Sequence, residues 1–123
     1  MPSTVLWFAT EEFVDSDEQR EQRVNEDIGG AALAVWLSSE LQAKGLKASA
    51  PWPEDHGWDF SVQSTQGAYA IVCTIEDGAD EERQACVQIH LGKPGRAALE
   101  SAEPVLHLIS ALLESRGENL AVE

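Results

Sequence analysis

The sequence predicts an α+β fold: a two-layer sandwich in the order β-α-β-β-β-β-α, with a mostly antiparallel sheet and two helices on one of its faces. Two segments repeat apolar residues at three- and four-residue steps, as amphipathic helices do. Around them lie short runs that alternate apolar and polar residues, as half-buried strands do. Short turn sequences join several of those runs, which favours antiparallel pairing over parallel crossovers.

Residues 4–10 are rich in β-branched and aromatic side chains and read as a buried strand. Residues 11–27 hold eight acidic residues and two arginines, with Phe13, Val14 and Val24 as the apolar interruptions. This segment reads as an acidic loop or flap with a short helical turn around residues 17–23. A helix is expected over residues 28–44, capped by Asn25 or Asp27, with Ile28, Ala32, Leu33, Trp36, Leu37 and Leu41 as its stripe and Gly45 as its stop. Gly29 and Gly30 weaken its first turn. Close backbone packing explains them better than a phosphate cradle, because no basic residue lies nearby in the sequence.

Residues 46–50 alternate and read as a strand, and residues 51–57 as a turn stiffened by Pro51 and Pro53. Residues 58–63 and 68–75 form a hairpin across a short loop. A register of Val62 with Tyr69, Phe60 with Ile71 and Trp58 with Cys73 keeps the apolar partners on one face. The acidic loop 76–82 lacks the calcium-loop pattern and leads to a strand over 85–91. The open face of the sheet is then expected to carry Asp59, Ser61, Gln63, Thr74, Gln88 and His90. Residues 92–96 form a plain turn without phosphate-loop spacing. A second helix over 104–116 has Val105, Leu108, Ile109, Leu112 and Leu113 as its stripe and ends at Gly117, leaving residues 118–123 as a frayed tail. All 123 residues fit one domain.

The charge is the most informative bulk property. Asp and Glu number 22 against 8 Lys and Arg, a formal charge of −14. Such a field repels nucleic-acid phosphate and anionic lipid and attracts basic proteins. No run approaches the roughly 20 apolar residues of a membrane span, and the first residues lack a basic leader, so a cytoplasmic protein is expected. Cys73 and Cys86 are the two cysteines. The register pairs Cys73 with Val87 and Cys86 with Thr74, so the thiols point to opposite faces and stay free, with Cys73 buried.

No catalytic, metal or cofactor motif is present: serines lack the nucleophile-elbow spacing, and histidines lack metal-ligand spacing. The densest cluster of chemistry-bearing residues is Trp52, Glu54, Asp55, His56 and Asp59. It reads either as a rigid structural turn or as an interaction surface. The helix from Ala31 to Gly45, followed by Trp52-Pro53-Glu54-Asp55-His56-Gly57-Trp58, resembles small uncharacterised bacterial α+β proteins across residues 28–62, and that resemblance implies no activity. In size and charge the chain is also similar to toxin-neutralising immunity proteins. The sequence therefore points to a non-catalytic acidic module that binds a basic protein through Trp52, Glu54, Asp55, His56 and Asp59. The alternative is a small-ligand or enzymatic domain with a pocket near His56 and the polar sheet face. Four tryptophans also leave room for a homodimer interface.

Overall fold

A computed structural model describes residues 3–64, 67–76, 83–91 and 103–122 of the chain. The predicted loops over 77–82 and 92–96 lie outside the described residues. The fold is α+β. Its central strands are β1 (Ser3–Thr10), β5 (Gly57–Ser64), β6 (Gly67–Glu76) and β7 (Arg83–Leu91). Shorter strands are β2 (Ile28–Gly29), β3 (Lys47–Ala48), β4 (Trp52–Glu54) and β8 (Ala121–Val122). The sheet runs β3-β5-β6-β7-β1-β8, with β2 against β6 and β4 against β5, and every pair is antiparallel.

The alternation in the strands sets the register. Val62 pairs with Tyr69, Phe60 with Ile71, Trp58 with Cys73, Cys73 with Val87, and Thr74 with Cys86, all as predicted. One face of the sheet carries Leu6, Phe8, Phe60, Val62, Tyr69, Ile71, Ile75, Val87 and Ile89, all buried. Helix α2 (Ala31–Ala43) adds Leu33, Ala34, Leu37 and Leu41 to that core, and helix α3 (Glu103–Ser115) adds Val105, Ile109 and Leu113. Trp36 and Ala32, predicted inside the α2 stripe, lie at its border. Both helices close as their glycines predict. Leu46 N–H donates to Leu41 O at 3.1 Å, and Glu118 N–H to Leu113 O at 3.3 Å.

Four expectations are corrected. The first concerns the start of α2. Ile28 and Gly29 are not helical but pair with Glu76 and Ile75. Gly30 is the N-cap, at φ +132°, and a Cβ there would strike the carbonyl of Cys73. Only glycine fits such a backbone pressed onto a strand. The cap itself is neither Asn25 nor Asp27. It is the carboxylate of Asp15, which accepts from Ala32 N–H at 2.9 Å and from Gly30 N–H at 3.4 Å. A negative charge at a helix N-terminus satisfies orphan donors and complements the helix dipole.

The second correction concerns residues 11–27, read as a solvated loop or flap. Short helix α1 (Asp17–Glu21) does form, closed by a Ser16–Gln19 capping box. The segment is nevertheless anchored in the core. Phe13 is buried, at φ +58°, a backbone state costing of order 1–3 kcal/mol for a non-glycine residue. Its ring lies 5.4 Å from that of Trp36, and the Arg116 guanidinium stacks on both. Arg83 donates to the carbonyls of Glu12 and Phe13, and Arg116 pairs with Glu12 at 2.8 Å. Arg23 pairs with Asp15 at 3.0 Å, with side-chain exposures of 2% and 1%. Arg23 thus lies directly beside Gly29, although its charge is neutralised by Asp15.

The third correction is that part of the expected 51–57 turn is strand. Trp52–Glu54 pairs with Gly57–Asp59, while the strand expected over 46–50 shrinks to Lys47–Ala48. The fourth is the tail, where Ala121 and Val122 extend the sheet beside Trp7 and Leu6 instead of fraying.

Removing one partner of a buried ion pair leaves the other charge unpaired. Asp15→Ala should therefore lower unfolding free energy by about 3 kcal/mol or more, whereas Glu18→Ala on exposed α1 should change it by no more than about 0.5 kcal/mol. Urea denaturation of both variants checks this.

Candidate functional site

The surface singled out in the sequence occupies the β4–β5 hairpin. Glu54 pairs with Gly57 across the two turn residues Asp55 and His56. The pleat turns Pro53 and Trp58 toward the core side and puts Trp52, Glu54 and Asp59 on the opposite face. There the Trp52 indole donates to Glu54 Oε1 at 3.0 Å, and His56 Nε2 lies 2.7 Å from Asp59 Oδ1. Trp52 keeps 42% of its surface exposed. Four of the five residues are thus drawn into two adjacent side-chain pairs, and Asp55 is exposed at the turn.

The turn is locked to the sheet. Thr74 Oγ1 donates to the carbonyl of His56 at 2.6 Å. Gly57, at φ +142°, lies so close to β6 that a Cβ would strike the Cys73 carbonyl and Thr74 Oγ1. A side chain there would push the hairpin off the sheet.

Beside the hairpin, on the same open face, is a cavity of about 250 Å³ lined by Trp7, His56, Thr74, Glu76, Gln84, Cys86 and Gln88. Its origin is a row of residues across three strands. Trp7 pairs with Cys86, and Cys86 with Thr74, whose hydroxyl reaches His56. Two small side chains therefore lie between an indole and an imidazole, and the dip between the rings is the cavity. Asp59, Ser61, Thr74, Gln88 and His90 lie on this face as predicted, with His90 Nε2 3.0 Å from Gln88 Oε1. Trp7, Glu76, Gln84 and Cys86 are the lining residues that sequence reasoning did not assign to a site. Trp7 is hidden because residues 4–10 are apolar on both faces, so their alternation does not show which side chains point away from the core.

Two thiols lie at or beneath this face, and neither is activated. Burial pushes the Cys86 thiol up; hydrogen bonds from Gln88 and Thr74 oppose that, and the Glu76 charge adds to it. A nucleophilic cysteine needs the opposite shift. Burial also raises Cys73 well above the ordinary thiol range, reinforced by Cys86 and Asp59. Among the described residues no cluster of three or more His, Cys, Asp or Glu could hold a metal ion, and no helix is long and apolar enough to cross a membrane. No family model matches the chain, and neither a curated protein nor a solved structure matches it.

The raised thiols carry a pH signature. Folding holds Cys73 protonated, so its contribution is complete below the pKa of the unfolded thiol, about 8.5, and is lost as pH rises through the folded value. Stability should fall above about pH 8.5, by up to about 1.4 kcal/mol per pH unit for this thiol. Urea midpoints measured across that range should fall less steeply in Cys73→Ala.

Proposed function

We propose that the chain is a non-catalytic interaction module whose β4–β5 hairpin and adjoining open sheet face bind a basic protein. The observation that carries this reading is Trp52. It is a large, exposed aromatic residue held in place by Glu54 on a two-residue hairpin, with Asp55 and Asp59 close by. A tryptophan fixed in advance loses little entropy on binding and is a frequent energetic anchor of interfaces. The surrounding carboxylates and the charge of −14 favour a basic partner and speed its approach. Pro53, in an edge strand, removes a backbone donor, which favours recognition through side chains over strand addition.

A second reading, a small-ligand domain, draws support from the cavity beside His56. At about 250 Å³ it falls below the roughly 300–1,000 Å³ typical of sites for drug-sized ligands.

The test is affinity capture from lysate with the wild-type chain and with a Glu54→Lys/Asp55→Lys variant. A basic protein should be held at low salt, shed at high salt, and associate about tenfold more slowly with the variant. Circular dichroism should show the variant folded. Equal capture by both chains would remove the hairpin from the interface. Trp52→Ala should raise the dissociation rate, by about tenfold or more for a central anchor.

A further inference from the structure

The cavity and the hairpin share His56 and lie on one face, so a partner lying across Trp52, Glu54 and Asp59 also covers the cavity mouth. We propose that this cavity receives the guanidinium of an arginine side chain from the basic partner, a conclusion that rests on the interaction reading above. Its size suits one long side chain. Its lining contains no Lys or Arg. Trp7 supplies an aromatic wall, on which a planar, weakly hydrated guanidinium stacks better than a compact, strongly hydrated ammonium. Thr74, Gln84 and Gln88 bring side-chain oxygens that accept hydrogen bonds, and a guanidinium is a donor throughout.

Glu76 supplies the counter-charge. It is exposed and belongs to no ion pair among the described residues. Its field reaches the cavity floor, since it contributes to raising the Cys86 thiol, after the larger effect of burial. The floor is neutral, because that thiol stays protonated. An arginine inserted here would meet one carboxylate, one indole and several amide and hydroxyl oxygens, with the His56 imidazole at the far wall turned to the Asp59 carboxylate.

Oligo-arginine and oligo-lysine peptides of equal length test this with the intact chain. Binding is followed by proton–nitrogen NMR, with the Trp7 indole signal assigned by its loss in Trp7→Phe. The arginine peptide should bind about tenfold more tightly than the lysine peptide and shift the Trp7 indole and the Thr74 and Cys86 amides. Glu76→Gln should reduce arginine binding to the lysine level and leave lysine binding little changed. Equal binding of both peptides, with the Trp7 signal unmoved, would overturn the arginine assignment; loss of that binding in Glu54→Lys/Asp55→Lys would then leave the hairpin reading standing. Failure of both peptides to bind would overturn both readings. Equally tight binding of a blocked single arginine would also overturn the proposal, because it would make the cavity a small-ligand site rather than part of a protein interface.

Discussion

The carboxylate of Asp15 joins parts of the chain that the sequence keeps far apart. It caps α2, neutralises Arg23 in a nearly water-free setting, and lies against the backbone of Gly29 and Gly30. Each role depends on the others. Without Arg23 the buried carboxylate would bear its desolvation cost without a counter-charge. Without Asp15, α2 would start with orphan N–H groups beside a buried guanidinium. The entry to α2 is therefore fixed by a residue fifteen positions before its N-cap. That contact ties residues 11–27 to the helix layer.

The same constraint changes how the charge of the chain is read. In the sequence, residues 11–27 look like a solvated run of carboxylates. In the structure the segment is fastened by Arg23, Arg83 and Arg116, while Phe13 fills space beside Trp36. Three of the eight basic residues are committed to it. The strained backbone of Phe13 fits this picture, since a left-handed state in a bulky residue persists only where surrounding contacts over-determine it. With those cations committed to residues 11–27, the hairpin and open sheet face keep their carboxylates, which is the electrostatic basis of the partner binding proposed for that side.

How legible each element was depends on whether its cause is local. The long strands were legible because a one-residue slip would turn every apolar side chain of β5, β6 or β7 to the wrong face, so alternation fixes the register. The C-termini of both helices were legible because Gly45 and Gly117 act on the residues just before them. The N-terminus of α2 was not, because Asn25 and Asp27 satisfy the local rule while the actual cap comes from across a loop. Strands β2, β4 and β8 were missed because two or three residues cannot show a period; they exist only because a partner edge is there to pair with. At the candidate site the hairpin residues were legible as a cluster. The cavity was not, because it arises from Cys86 and Thr74 being small between Trp7 and His56, a juxtaposition spread over four places in the chain.

That juxtaposition follows from the division of the sheet into two faces. The core face is filled by closely packed side chains of fitted size, because α2 and α3 must be packed against without voids. The open face is under no such demand, so its side chains can differ in size from one position to the next. A small pair beside an indole makes a depression there at no cost to the core. The hairpin turn then sets the depression's far wall, and it is held there by the Thr74 hydroxyl and by the absence of a side chain at Gly57. The relief of the open face comes from the small pair Cys86 and Thr74, and the close approach of Gly57 to β6 fixes the wall beside it. A side chain at position 57 would loosen the wall and shift Trp52, Glu54 and Asp59 with it, so the hairpin surface and the cavity behave as one unit.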